Sequence, residues 1–551
     1  MRRLNKKLAI CISVIMMLGL VGCGGTKTSE KRDDTKIDYV QSTVAPSENI
    51  DMTEMYEEET GEAAEGIIMD AAGTKNDGDI FIEEPDFNTN EFNNVQENSW
   101  CDVNTSPLST FAADVDTASY AELRSFIKNG YDIDSSMVRL EEMINYFHYD
   151  YEKPKAGEKF AVHTEYADCP WNEQTKLAMI ALSTESIDFS ESPDSNLVFL
   201  IDTSGSMFDA DKLPLIQQSL NMLVENLSEK DRISIVTYAG SETVVLEGVS
   251  GDQHHRIVSA IEELEAHGST NGSAGINKAY ELAEKYFIEG GNNRVILATD
   301  GDLNVGLTSE GELERLITEK KKSGVFLSVF GVGYGNLKDN KMETLADKGN
   351  GNYAYLDSIF EAKKALVDEL GANMVTVAKD VKLQVEFNPN QVKGYRLLGY
   401  ENRVMAAQDF ADDTKDGGEM GAGHTVTALY EIVPADSDFE MQNIDLKYTD
   451  KETKPVDAGL SNELFTVNVR YKEVDEDESK LNSYVCTRDD YSQAGSDNLR
   501  WAAAVAGFGM LLKDSEYMGT TDRKLILELA DSVEEIDDAR QEFIGLVSIV
   551  K

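Results

Sequence analysis

The segment Asn196-Leu-Val-Phe-Leu-Ile-Asp-Thr-Ser-Gly-Ser-Met207 decides the fold. It opens with an uninterrupted apolar run, Leu197 to Ile201, which predicts a strand buried on both faces of a parallel sheet. Residues that follow such a strand lie at the carboxyl edge of the sheet, where open α/β sheets bind their ligands. We therefore expect Asp202, Ser204 and Ser206 to converge there as three oxygen donors.

This donor set predicts a cation site. Two hydroxyls around one carboxylate suit a small, hard ion, and Mg2+ prefers octahedral oxygen coordination in which it usually keeps some water. We therefore expect a divalent cation at this edge, with Mg2+ as the first choice and Mn2+ or Ca2+ as alternatives. The rest of the chain has to complete the site.

Strands and helices alternate from residue 196 to residue 376, which predicts an α/β domain with a doubly wound, mainly parallel sheet. Two further loops in this domain carry polar side chains. The loop His267-Gly-Ser-Thr-Asn-Gly272 has Thr270 at its tip and opens a helix. The apolar strand that starts at Arg294 ends in Asp300, at the same carboxyl edge as Asp202. The domain is predicted to close with a long helix over residues 360–377.

Taken together, Asp-x-Ser-x-Ser, a threonine in a second loop and a strand ending in Thr-Asp-Gly resemble the metal-ion-dependent adhesion site of von Willebrand factor type A domains. The resemblance implies that Asp202 anchors the site and that Ser204 and Ser206 ligate the metal through their hydroxyls. It also implies that Thr270 approaches from the second loop and Asp300 from the third, often through water. One metal position would stay open for an acidic group of a partner protein.

The N-terminus has the pattern of a secretory signal peptide over residues 1–22. Arg2, Arg3, Lys6 and Lys7 precede an apolar stretch that is too short to span a bilayer. The sequence Leu-Val-Gly-Cys23 that follows resembles the lipobox of bacterial lipoproteins. The resemblance implies lipidation of Cys23 and a stable, lipid-anchored attachment to the bacterial cell membrane, since diacylglycerol supplies two chains. An ordinary signal peptide that happens to contain this cysteine is the alternative.

Residues 23–95 are acidic and poor in periodic apolar residues, so they are predicted to be a disordered tether. The whole chain carries a formal net charge of -50. Such a charge repels nucleic acid phosphates and anionic lipid headgroups, which excludes both as direct partners of the surface. The extracytoplasmic face of the membrane is the expected location.

Two regions flank the α/β domain. Residues 96–195 form an N-terminal extension of helices and strands, in which Asp114 and Asp116 are interpreted as turn and helix-capping groups rather than metal ligands. Residues 377–551 are predicted to form first strands, whose period-two alternation indicates sheets with one covered face, and then helices. We expect a β-sandwich-like region beside the α/β domain, with room for strands from before residue 196, followed by C-terminal helices.

The flanks also carry a resemblance. The segments Ser109-Thr-Phe-Ala-Ala-Asp-Val-Asp-Thr-Ala-Ser-Tyr120, Glu141-Glu-Met-Ile-Asn-Tyr-Phe147 and Gly421-Ala-Gly-His-Thr-Val-Thr-Ala-Leu-Tyr430 are similar to the extensions of YfbK-like bacterial lipoproteins. This similarity implies an architecture of lipid anchor, extension, type A domain and family C-terminal region. It implies no reaction and no ligand.

Three cysteines remain after the signal peptide and Cys23, namely Cys101, Cys169 and Cys486. An odd number in an exported chain means that at least one thiol is free or pairs between molecules. A disulfide between Cys101 and Cys169 is the candidate bond, and free thiols are the alternative.

Three functions compete. The first is a binding module that engages an acidic residue of a partner protein through the metal, with no small-molecule substrate. The second is a structural envelope lipoprotein whose metal only stabilises the domain. The third is a phosphotransferase-type enzyme, but such enzymes need Asp-x-Asp and position 204 is a serine. No histidine or lysine is placed by the sequence to activate a serine nucleophile, so the chain is predicted not to be an enzyme.

Overall fold

The computed structural model describes residues 90–93, 96–185, 193–268, 272–301, 310–335, 337–369, 375–415, 417–441, 460, 462–474 and 476–550. The predictions for the signal peptide, Cys23 and the tether up to residue 89 lie outside the described residues, and so does the prediction for Thr270.

The strands are numbered along the chain. They are β1 (Cys101–Asp102), β2 (Leu108–Ala112), β3 (Phe160–Asp168), β4 (Lys176–Thr184), β5 (Ser195–Asp202), β6 (Arg232–Tyr238), β7 (Glu242–Ser250), β8 (Asn292–Thr299), β9 (Phe326–Val332), β10 (Asn350–Leu356), β11 (Thr376–Phe387), β12 (Val392–Leu398), β13 (Gly418–Gly421), β14 (Thr425–Pro434), β15 (Glu463–Lys472), β16 (Ser479–Thr487) and β17 (Tyr491–Ser492).

The α-helices are numbered in the same way. They are α1 (Ala118–Asn129), α2 (Leu140–Asn145), α3 (Leu213–Val224), α4 (His254–Glu262), α5 (Gly272–Lys285), α6 (Glu310–Lys320), α7 (Asp339–Lys348), α8 (Ile359–Lys363), α9 (Asp497–Lys513), α10 (Arg523–Asp531) and α11 (Asp538–Ile549).

The predicted doubly wound sheet is confirmed. Its strand order is β10-β9-β8-β5-β6-β7, and all neighbours are parallel except the antiparallel edge strand β7. Leu197, Phe199 and Ile201 of β5 face one core with α3, α4 and α8. Val198 and Leu200 face the other core, with α1, α5, α6 and α7. Burying each such side chain stabilises the fold by about 1.5–3 kcal/mol, so the apolar run holds β5 in the middle of the sheet.

The predicted β-sandwich is also confirmed, and it does include strands from before residue 196. One sheet has the order β1-β12-β14-β4-β3-β17, and the other has the order β13-β11-β15-β16, with β2 paired to β11. Side chains of both sheets share one core, among them Phe160, Ile180, Leu383, Tyr430 and Val467.

A helical layer covers the outer face of the first sandwich sheet. Helices α1, α2, α9, α10 and α11 form a core with Met179 of β4 and Leu429 of β14, whose neighbours along the strand face the sandwich interior. The period-two pattern predicted one covered face, which is wrong for these strands because this layer buries the second face. Side-chain caps start the three C-terminal helices, from Ser496, Asp522 and Asp537. Among the described residues, no helix is long and apolar enough to cross a membrane.

The long helix predicted over residues 360–377 is wrong. Helix α8 is followed by a π-helical turn, Lys364–Glu369, and Thr376 already belongs to β11, where it pairs with Gly421. The three consecutive β-branched residues Val375, Thr376 and Val377 favour a strand over a helix, because their side chains lose rotamer freedom in a helix.

Buried ion pairs join the N-terminal extension, the type A region and the C-terminal region. The interpretation of Asp116 as a capping group is wrong. Its carboxylate accepts a hydrogen bond from the backbone N–H of Tyr353 at 2.8 Å and lies 3.3 Å from the guanidinium of Arg403. Arg139, which precedes α2, pairs with Asp339 and lies 3.3 Å from Glu343 on α7. These pairs hold the three regions together across the edge strand β10.

Glu122 is an uncompensated member of this cluster. It is fully buried on α1 and accepts a hydrogen bond from the Tyr353 hydroxyl at 2.9 Å. Burial and the neighbouring charge of Asp339 raise its pKa well above the ordinary range, although Arg139 opposes the shift. The folded state therefore binds a proton at Glu122 more tightly than the unfolded state does.

We expect Glu122→Gln to remove a pH-dependent loss of stability. A raised folded-state pKa stabilises the protein fully below the unfolded pKa of about 4.5, and this stability is lost as pH rises toward the folded pKa. The wild type should thus lose up to about 1.4 kcal/mol per pH unit relative to the variant over that window. Urea unfolding between pH 5 and pH 8 measures the difference, and parallel curves for the two proteins would contradict the assignment.

We expect Gly351→Ala to destabilise the edge of the sheet. A Cβ atom at Gly351 would lie 1.9 Å from the carbonyl oxygen of Leu327, so the β9 and β10 backbones would have to separate. The expected loss is about 3 kcal/mol, measured by urea unfolding. Gly545→Ala is the matched control, since a Cβ there meets nothing within 4 Å and should add about 0.5–1 kcal/mol in mid-helix. Equal stability of the two variants would refute the close approach.

Candidate metal centre

The side chain of Asp202 is held at the end of β5 by donors from two strand ends. It is fully buried. Its Oδ1 accepts a hydrogen bond from the backbone N–H of Ser204 at 2.8 Å. Its Oδ2 accepts one from the hydroxyl of Thr299, at the end of the parallel neighbour β8, at 3.3 Å. The carboxylate is thus fixed by its own loop and by the next strand.

The two serine hydroxyls of the motif face each other. The Oγ atoms of Ser204 and Ser206 lie 3.0 Å apart, with Ser204 buried and Ser206 exposed. A single 3-10 turn, Gly205–Phe208, carries this arrangement, and the fully buried side chain of Met207 anchors it. Ser206 therefore lies at the surface of the site, while Asp202 and Ser204 lie within it.

Asp300 follows β8 and is almost fully buried, as the parallel arrangement predicts. Its Oδ2 lies 3.0 Å from the ammonium of Lys212. The same ammonium donates a hydrogen bond to the backbone carbonyl of Ser206 at 3.0 Å. Sequence reasoning missed Lys212, although a lysine six residues after Ser206, at the start of a predicted helix, was a readable signal.

The second loop is tied to the first through its backbone. The N–H of His267 donates to the carbonyl of Thr203 at 2.8 Å, and the N–H of Gly205 donates to the carbonyl of Gly268 at 3.1 Å. These bonds join the segment just before residue 270 to the serine loop. Thr270 itself lies outside the described residues, so its role as a ligand stays a prediction.

The electrostatics of the site favour a cation. Burial raises the pKa of Asp202 to about 6, hydrogen bonds from Ser204 oppose the shift, and the negative charge of Asp300 adds to it. Two carboxylates and one ammonium leave a net charge of about -1 on a buried centre, which is costly without further compensation.

The donor chemistry fits a hard divalent ion. Carboxylate and hydroxyl oxygens are ligands of Mg2+ and Ca2+, while soft metals prefer sulfur and nitrogen. Among the described residues, no group of three or more His, Cys, Asp or Glu side chains could hold a metal. The candidate set here has only two carboxylates, Asp202 and Asp300, and otherwise depends on the hydroxyls of Ser204 and Ser206 and on the predicted Thr270.

The expected disulfide between Cys101 and Cys169 is absent, and both are free thiols, as is Cys486. Cys101 lies in β1, and Cys169 directly follows β3. Three strands separate β1 from β3 in the sheet, so the two cysteines are about 19 Å apart at the usual strand spacing. A disulfide needs Cα atoms within about 7 Å.

The parallel sheet and its edge of carboxylate and hydroxyl groups define a von Willebrand factor type A domain. The family model described as "von Willebrand factor type A domain" matches residues 196–369, and one described as "von Willebrand factor" matches residues 86–179. The model "Uncharacterized protein YfbK, C-terminal" matches residues 372–551. The chain belongs to the YfbK family, since it is 41% identical over 471 residues to "Uncharacterized protein YfbK" of Escherichia coli (strain K12), covering 84% of this chain and 81% of that relative.

Solved structures are similar at lower identity. "von Willebrand factor type A from Catenulispora acidiphila" is 15% identical, with a TM-score of 0.41, and the match covers 71% of this chain and 89% of that chain. The "ArnB paralog VWA2 from Sulfolobus acidocaldarius" is 16% identical, with a TM-score of 0.35, and the match covers 71% and 97%.

We expect Thr299→Val to destabilise the site. Valine keeps the shape of threonine but leaves Asp202 Oδ2 without its donor and the backbone N–H of Gly301 without its acceptor. The expected loss is about 1–3 kcal/mol, measured by urea unfolding in the presence of chelator. Thr299→Ser keeps the hydroxyl and is the control, which should lose less. A valine variant as stable as the serine variant would show that the hydroxyl does not support Asp202.

Proposed function

We propose that this protein binds a partner protein through a metal-ion-dependent adhesion site at the carboxyl edge of the type A sheet. Asp202, Ser204, Ser206, Thr270 and Asp300 would hold a divalent cation, with Mg2+ as the first choice. One position on the cation would take a carboxylate of the partner. Von Willebrand factor type A domains typically mediate protein–protein interaction, and this site is the part of the domain suited to it.

One observation carries the proposal. Asp202 and Ser204 are buried, whereas Ser206 of the same loop is exposed. A buried anchor beside an exposed serine leaves a bound cation open on its outer side. A metal that only stabilises the fold is instead expected to have all its coordination positions filled by protein ligands.

Catalysis does not fit the same geometry. Contrary to the sequence-based expectation, a lysine does lie beside the serines. Its ammonium donates to the backbone carbonyl of Ser206 and pairs with Asp300, so among the described residues it contacts these oxygen atoms and not a serine hydroxyl that it would have to activate. Ser204 occupies the position at which a phosphotransferase needs a second carboxylate to act as general acid. We therefore propose a non-catalytic binding module.

We also propose that the protein acts on the outside of the bacterial cell membrane. The support is the sequence of residues 1–23, with its basic head, short apolar stretch and lipobox-like end at Cys23. Lipid on Cys23 would anchor the chain, and the acidic residues 23–95 would hold the folded region away from the membrane.

We expect Asp202→Asn to abolish metal-dependent partner binding while the fold is kept. Loss of an outer-shell partner already costs 10–100-fold in metal affinity, so loss of the anchoring ligand should cost at least about 100-fold. Isothermal titration of the full chain with Mg2+ measures this step. In-cell cross-linking with mass spectrometry, repeated with chelator, measures the partner step.

Asp252→Ala is the matched control, because Asp252 is an exposed carboxylate in the same domain and its loss should change neither step. A partner that is captured equally by the wild type, by Asp202→Asn and in chelator would contradict the proposal. Metal-dependent melting with no metal-dependent partner would instead indicate a structural role for the metal.

A further inference from the structure

The side chain of Lys212 is buried beside Asp300 in the candidate metal centre. Its side chain is 9% exposed although it ends in a charge. Its stem lies against Gly333, where an added Cβ would come within 2.3 Å of the lysine Cε. Gly333 has a positive φ of 73°, a conformation that glycine adopts without strain. The slot for the stem thus exists only because residue 333 has no side chain.

The ammonium has defined partners at the end of this slot. It lies 3.0 Å from Asp300 Oδ2 and 3.0 Å from the carbonyl oxygen of Ser206. Lys212 also precedes α3, and its backbone carbonyl accepts the first hydrogen bond of that helix, from Ile216 at 3.0 Å. The charge is therefore fixed by the helix start, by the slot and by two oxygen atoms.

A fixed positive charge changes the charge balance of the site. Asp202, Asp300 and Lys212 sum to -1, so a divalent cation brings the centre to +1. One carboxylate from a partner then brings it to zero. Without the lysine the same cation would neutralise the two aspartates, so the loaded site would have no net charge to add to the attraction of the open metal position for an anion.

We propose that Lys212 is a resident cation that weakens the affinity of the site for metal and gives the metal-loaded site its selectivity for an anionic partner. This inference rests on the proposed adhesion site. Lys212 acts through Asp300 and the local field, so it is a positioning residue. If Lys212 only held Asp300 in place, the loss of Lys212 would disorder Asp300. The variant would then bind metal more weakly, which is the opposite result.

The test compares the wild type with Lys212→Met, which removes the charge and keeps an unbranched stem for the Gly333 slot. Isothermal titration of the full chain with Mg2+ should show tighter binding in the variant. Removing a unit charge close to a partly buried cation is worth about tenfold or more in Kd. Lys524→Met is the matched control, since Lys524 is 78% exposed on α10 and its loss changes the net charge equally.

A second measurement needs no bound metal. In chelator, Lys212→Met should melt at a lower temperature than the wild type, because the two aspartates lose their compensating charge. Added Mg2+ should then raise its melting temperature by more than it raises that of the wild type. Lys212→Gln serves as the second neutral variant if the methionine variant does not fold.

The outcomes separate the two proposals. Mg2+ binding by the wild type with equal or weaker binding by Lys212→Met and Lys212→Gln overturns the inference and leaves the adhesion site standing. Absence of Mg2+ binding in every protein overturns both. Tighter binding in the neutral variants, with Lys524→Met unchanged, supports the resident cation.

Discussion

The structure depends on a carboxylate that is buried at the end of a strand covered on both faces. The apolar run of β5 places Asp202 where water cannot solvate it, and the penalty for a buried ion is several kcal/mol. The Ser204 amide and the Thr299 hydroxyl reduce that penalty by donating hydrogen bonds, whereas the charge of Asp300, which Lys212 partly balances, adds to it. The loops at this edge take their conformation from that requirement.

A second constraint lies along the lateral edge of the same sheet, at strand β10. Strand β10 would be an open edge, but α1 and the cluster around Arg139 and Arg403 cover it. Carboxylates outnumber arginines there, which makes the contact sensitive to protonation of Glu122. Different interactions therefore stabilise the two places. Hydrogen bonds to oxygen atoms stabilise the carboxyl edge with Asp202, and buried ion pairs stabilise the covered strand β10.

Local sequence patterns predicted the elements of the fold well. The apolar runs before Asp202 and Asp300 predicted the two central strands β5 and β8. Because these strands are parallel, their carboxyl ends were expected at the same edge of the sheet. The structure accordingly has Asp202, Ser204 and Ser206 at the same edge as Asp300. Apart from the helix predicted over residues 360–377, which the local β-branched residues already disfavour, the failures were long-range. Asp116 bonds to the backbone of Tyr353, 237 positions away, and no local pattern reveals such a partner.

The same reason explains the other errors. The distance between Cys101 and Cys169 depends on strand order, which connects segments far apart in the chain. The second covered face of β14 depends on helices that follow it by more than 60 residues. Lys212 could be seen in the sequence, but its pairing with Asp300, 88 positions on, could not. Thr270 remains a prediction from the motif alone.

Helix α1 contributes to two cores at once. Ala118 and Ala121 pack against the type A sheet, while Tyr120, Leu123 and Phe126 pack into the helical layer. A fragment cut at residues 196 and 376 would therefore lose part of its own interior and expose an apolar strand edge. Such a fragment would be a poor surrogate for the intact protein, because a helix from outside the α/β domain completes one of its cores.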